Sequence, residues 1–193
     1  FVNNQTGIYN ASNNNSVCIR SDFYLGTKET YPYYYYNIGL LNTSSTGFTF
    51  EQNRFFKSTG YPSNHEVNAG MWNHNTGSNT NIIYKNEYTS LHHANVASGN
   101  NRSVGYGING LIYKCNKNIT NIWYDFLTQD GLGIALNQGN RDVPAGNTFS
   151  HKTTPANSDF ANYADMWVNY YYYVNDYNQR PINATTKFTA FST

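Results

Sequence analysis

The chain has 193 residues with 12 basic and 11 acidic side chains, a formal net charge of +1, and enough length for one domain, 1–193, with a real core. Charged residues make up only 12% and aromatics 17%, which argues against disorder, and the near-neutral balance offers no basic field for nucleic acid. No run of about 18 apolar residues occurs, so no membrane insertion by this domain is expected.

Residues 1–16 form a polar, Asn-rich lead. Its first residues, Phe1-Val2-Asn3-Asn4, carry no Met, basic head or apolar run, as expected after processing or excision. Residues 17–25 alternate, with Val17, Ile19, Phe23 and Leu25 on one side, which predicts a half-buried strand. Residues 31–41 carry the tyrosine run 33–36 behind Pro32 and predict a second strand with rings on both faces. A turn at Thr43–Gly47 precedes Phe48, Phe50, Phe55 and Phe56. From Gly60 to Thr80 the pattern dissolves into a long polar passage dotted with aromatics. Strands are then expected at 80–90, 104–115 and 119–128, the last two joined as a hairpin through Asn116-Lys117-Asn118. After the loop-rich stretch 137–158 come strands at 166–174 and 182–191. Apolar residues never recur with period 3.6, so little or no helix is expected. No internal repeat stands out. Eight to ten short strands with long polar loops predict an all-β fold, an antiparallel β-sandwich of jelly-roll or immunoglobulin-like type.

Cys18 and Cys115 both sit in strand-like surroundings and are the natural partners for one disulfide. Seven N-x-S/T sequons occur, at Asn4, Asn10, Asn14, Asn42, Asn101, Asn118 and Asn183. With 32 Asn and 33 Ser plus Thr, chance placement gives roughly five, so the excess is small, although the pattern is that of a glycoprotein. These features place the protein outside the cell or on a cell or virion surface.

The chemistry-bearing residues are few. His65, His74, His92, His93 and His151 show no metal-ligand spacing, and the acidic residues do not cluster as calcium ligands do. No metal and no cofactor is expected. Glu51 and Glu87 are the glutamates best placed for a glycosidase pair, without a supporting aromatic alternation. No nucleophile elbow or phosphate loop is present, and the chain is read as a non-enzyme. Binding fits better. Sugar rings stack on aromatic faces, and their hydroxyls bond to Asn and Asp side chains on loops. Trp72, Asn73, His74 and Asn75 have that content, as do Trp123 and Asp125. Trp167 beside Asn169 is a weaker third cluster, and the tyrosine runs 33–36 and 170–173 offer contact material for a protein receptor.

No family motif is present residue by residue. In composition and strand pattern the chain is similar to the receptor-binding lectin domains of bacterial fimbrial adhesins and, less closely, to receptor-binding segments of viral envelope glycoproteins. The first resemblance implies an exported adhesin that attaches to a glycan on a host cell. The second implies a protein receptor. A polysaccharide hydrolase is the third alternative.

Overall fold

The computed structural model describes residues 5–26, 35–58, 66–152, 156 and 158–193. His65, the sequon at Asn4 and the tyrosines at 31–34 lie outside the described residues, as do the side chains of Tyr35 and Glu66.

The chain winds as a parallel β-solenoid. The first turn carries β1 (Thr6–Ala11), β2 (Val17–Ile19) and β3 (Asp22–Leu25). The second carries β4 (Tyr35–Thr43), β5 (Thr49–Glu51) and β6 (Arg54–Lys57). The third carries β7 (Glu66–His74), β8 (Asn81–Tyr84) and β9 (Glu87–Thr89), and the fourth β10 (His93–Asn100), β11 (Leu111–Lys114) and β12 (Lys117–Ile119). Then come β13 (Tyr124–Gly133), β14 (Asn137–Gln138), β15 (Phe160–Tyr163), β16 (Val168–Tyr172) and β17 (Phe188–Ser192), with one 3-10 turn at Tyr177–Gln179. Like strands of successive turns stack into walls. One wall has the order β1-β4-β7-β10-β13-β15, the second β2-β5-β8-β11 and the third β3-β6-β9-β12. β14, β16 and β17 make a further short sheet. All pairs between these strands are parallel, and among the described residues only the isolated bridges Arg102–Gly110 and Gly139–Pro144 are antiparallel. Six strands in the longest wall correspond to about five turns.

This corrects the antiparallel β-sandwich. The reason lies at the corners. Arg20, Gln52, Lys85 and Cys115 all take left-handed backbone, with φ of 54°, 56°, 54° and 55°, and stack in one column. Each bends the chain between the second and third walls. Residues 17–25 are therefore two strands, and the bend resets the face: Phe23 and Leu25 enter the core while Val17 and Ile19 stay exposed. The same bend replaces the expected hairpin at 116–118, because β11 and β12 belong to different walls.

The residue after each bend explains much of the asparagine. Asn53, Asn86, Asn116 and Asn147 form a ladder with steps of 33, 30 and 31 residues. Each Oδ1 accepts the backbone N–H of the turn above, from Ser21, Asn53, Asn86 and Asn116 in order, at 2.8–3.0 Å. Each Nδ2 donates to a strand carbonyl, of Cys18, Phe50, Ile83 and Tyr113. A side-chain amide thus supplies the partners that a buried corner would otherwise deny its backbone. A second ladder, Asn10–Asn42–Asn73, runs inside the first wall. The repeat that the residue pattern hides is therefore real, about one turn in length.

Rings fill the lumen in the same register. Phe23, Phe55 and Tyr88 stack at 4.6 and 5.1 Å, and Phe126, Phe160 and Phe188 at 5.4 and 4.6 Å. The first stack faces a small-residue column: a Cβ on Gly7, Gly39 or Gly70 would lie 2.6–2.9 Å from the ring of Phe23, Phe55 or Tyr88.

The disulfide is also corrected, because both cysteines are free. Cys18 pairs laterally with Phe50, Phe50 with Ile83 and Ile83 with Tyr113. Three strand spacings, about 14 Å, separate the Cys18 row from the turn of Cys115, beyond the roughly 7 Å reach of a disulfide. Among the described residues no helix is long and apolar enough to cross a membrane.

Candidate functional site

The first wall carries apolar side chains on both faces. Its inner face lines the lumen. Its outer face carries a second apolar cluster of Ile38, Ala69, Val96, Leu127 and Ala161, with Leu41, Trp72 and Tyr124 against it. Chain length at one corner shapes this face. The passages from the third wall back to the first are 26–34 and 58–65 in the first two turns but only 90–92 and 120–123 in the next two. The short corners bring His92, Ile122 and Trp123 to the edge of the outer face.

Aromatic rings run across it. Trp72 meets Tyr36 edge-on at 5.1 Å, and Tyr36 lies 6.4 Å from His93. His93 stacks on Tyr124 at 5.6 Å and 7°, and Trp123 stands edge-on to both His93 and His92 at 5.3 and 4.8 Å. Beside these rings opens a cleft of about 750 Å3, lined by Tyr36, His93, Ile122, Trp123, Tyr124, Leu127, Gln129 and Lys152. That volume falls in the range of small-ligand sites, about 300–1,000 Å3.

The electrostatics are mild. Burial, aided by the charge of Lys57, lowers the pKa of His92 to about 4. Burial and the neighbouring His92 lower that of His93 to about 4 as well. Both imidazoles are neutral at physiological pH. The Nδ1 of His92 accepts the Asn68 N–H at 3.0 Å, whereas Nδ1 of His93 is buried without a hydrogen-bond partner among the described residues. Lys152 is the one charged side chain of the described cleft lining.

The residues expected from sequence separate into two groups. Trp72, His74 and Asn75 stay together at one end of the outer face. The Trp72 indole donates to Ser98 Oγ at 2.8 Å, His74 Nδ1 lies 2.9 Å from the same oxygen, and Asn75 Nδ2 lies 2.8 Å from His74 Nε2. Trp123 lies in the cleft, and Tyr36 and His93 link it to Trp72. Asn73 and Asp125 point the other way, into the wall. Asn73 ends the inner ladder. Asp125 accepts from Ser150 N, Ser150 Oγ and Asn121 Nδ2 at 2.6, 2.8 and 2.9 Å. Burial raises its pKa to about 7, against the lowering effect of those donors and with a further push from Asp159. Trp167 is exposed, 53% accessible, and is not part of the described cleft lining.

Glu51 ends β5 and Glu87 begins β9, on different walls. Glu87 pairs with Lys117 at 3.5 Å, and neither glutamate lines the cleft. Tyr36 is legible only as part of the tyrosine run 33–36, and His93, Gln129 and Lys152 carry no sequence signal for this cleft. The signal that unites several of them is the turn length, which places Ile38, Ala69, His93 and Tyr124 in one column.

The fold and the site define a β-solenoid with an aromatic outer cleft. Comparison with protein-family models, with curated proteins and with solved structures returns no match.

Proposed function

We propose that this chain is a non-enzymatic attachment domain, exposed at a cell or virion surface, that holds a glycan in the aromatic cleft. The observation that carries this reading is the ring row from Trp72 through Tyr36 and His93 to Tyr124 and Trp123, laid beside a cleft of small-ligand size. Ring faces suit the C–H faces of sugars, and Gln129 and Lys152 supply donors for hydroxyls. The neutral, buried imidazole of His93 adds no charge beneath the rings.

A glycan-array screen of the folded monomer tests the proposal, with Trp123→Ala beside the native chain. Selective binding that weakens by about 1–2 kcal/mol, roughly five- to thirtyfold, supports it. A silent array from folded protein refutes it. A protein receptor is the second reading, and one observation favours it. The tyrosine run of β16 splits, with Tyr170 fully buried and Tyr173 exposed beyond it, next to exposed Val174 and Tyr177.

A further inference from the structure

The sequons have a structural fate that their spacing hides. N-glycosylation attaches sugar to the asparagine amide nitrogen, so that nitrogen must stand in solvent. Four of the sequon asparagines are inside the solenoid: Asn42 and Asn101 are 0% exposed, Asn118 is 4% and Asn10 is 8%. Their amide nitrogens are also spoken for as donors. Asn10 Nδ2 donates to Asn42 Oδ1 at 2.7 Å and Asn42 Nδ2 to Asn73 Oδ1 at 3.3 Å. Asn101 Nδ2 donates to the Ser98 carbonyl at 2.9 Å, and Asn118 Nδ2 to the Thr148 carbonyl at 2.8 Å. Asn183 Nδ2 is tied to the Lys152 carbonyl at 2.6 Å. A sugar on Asn10, Asn42, Asn101 or Asn118 would replace a donor hydrogen and force a bulky polar group into a space with no solvent, and on the part-buried Asn183 it would compete with the bond to the Lys152 carbonyl. Asn14 differs. It is exposed, and it lies on the bend between β1 and β2.

We propose that Asn14 is the one sequon among the described residues open to N-glycosylation, and that the solenoid forms only when Asn10, Asn42, Asn101 and Asn118 are bare. Among the described residues the surface sugar acceptor then lies at one bend, and the sequons at Asn10 and Asn42 are by-products of asparagine used for a ladder. A cell that glycosylates them blocks folding, so productive synthesis belongs where their occupancy is low.

The test is secretion of the full chain by an N-glycosylating eukaryotic cell. Folded monomer is separated from aggregate by size-exclusion chromatography, and glycopeptides from both are mapped by mass spectrometry. Sugar on Asn14 is expected in the monomer, and Ser16→Ala is expected to remove it. Occupancy of Asn42 and Asn101 is expected to be at least about tenfold lower in monomer than in aggregate, as loss of a buried hydrogen bond and burial of an unpaired polar group require. A folded monomer with sugar on Asn42 or Asn101 overturns the exclusion. A monomer bare at Asn14, from cells that occupy other sequons in the aggregate, overturns the Asn14 assignment.

Discussion

Replacement of Asn86 by alanine tests the corner ladder at its centre. Asn86 Oδ1 accepts from the backbone N–H and the Nδ2 of Asn53 at 2.8 and 3.0 Å. Its Nδ2 donates to the Phe50 carbonyl at 2.9 Å and to Asn116 Oδ1 at 3.2 Å. Asn86→Ala removes all four bonds. The damage is uneven. Asn53 Nδ2 keeps the Cys18 carbonyl, and Asn116 Oδ1 keeps the Asn86 backbone N–H. The Asn53 backbone N–H is left buried with no partner in the ladder. That orphan costs about 1–3 kcal/mol and each of the three other lost bonds about 0.5–1.5 kcal/mol, so the expected loss is about 2.5–7.5 kcal/mol. Urea denaturation reads it as a lower midpoint at constant slope. Asn79→Ala, at an exposed position, is the control and should stay within about 0.5 kcal/mol. A loss below about 1 kcal/mol at Asn86 would mean that water replaces the amide at the corner and that the ladder does not hold the turns together.

Three further outcomes are expected. Gly39→Ala places a Cβ 2.6 Å from the Phe55 ring and 2.7 Å from the Gly70 carbonyl, so it should cost about 1–3 kcal/mol through overpacking; an unchanged urea midpoint contradicts the packing of that stack. Thiol titration of the unfolded chain without reductant should find both Cys18 and Cys115 free, and reductant should leave the melting temperature where it was. The pH dependence separates two opposed effects. The raised folded pKa of Asp125, about 7, makes its contribution greatest below its unfolded pKa of 3.8 and removes it as pH rises through 7. The lowered pKa of His92 and His93, about 4 against 6.5, makes their contribution full above 6.5 and removes it as pH falls through 4. Asp125→Asn should therefore steepen the rise of stability with pH between about 4.5 and 6, by up to about 1.4 kcal/mol per pH unit for the one proton removed. Parallel stability curves for the two proteins would show that Asp125 does not titrate in this window.

Strand content and the scarcity of helix are legible in the sequence because alternation and β-branched or aromatic residues mark strands whatever their partners. Strand direction is not. A four-residue strand, a left-handed corner and another short strand read like a hairpin, as at Leu111–Ile119, unless the corner residue reveals itself. Arg20, Gln52, Lys85 and Cys115 do not, since none is the glycine or asparagine that left-handed backbone favours. The cleft was half legible. Trp72 and Trp123 stand out by residue type, but their connection through Tyr36 and His93 depends on lateral pairing of residues 30–57 positions apart in sequence. Once the period is set by Asn53, Asn86, Asn116 and Asn147, that pairing follows from the register.

The solenoid also changes what the asparagines mean. Read from composition alone, one asparagine in about every six residues suggests a polar surface ready to bond sugar hydroxyls. In the fold, Asn10, Asn42, Asn53, Asn73, Asn86, Asn116 and Asn147 all turn inward and spend their amides on one another and on corner backbone. The described cleft lining contains no asparagine; its polar groups are Gln129, Lys152, His93 and the tyrosine hydroxyls. The recognition proposed for this site would therefore rest on ring contact more than on amide hydrogen bonds. Loss of the Trp123 ring should accordingly cost the proposed ligand more affinity than removal of the Gln129 amide, because the ring takes the buried contact while the amide exchanges one hydrogen bond with water for another.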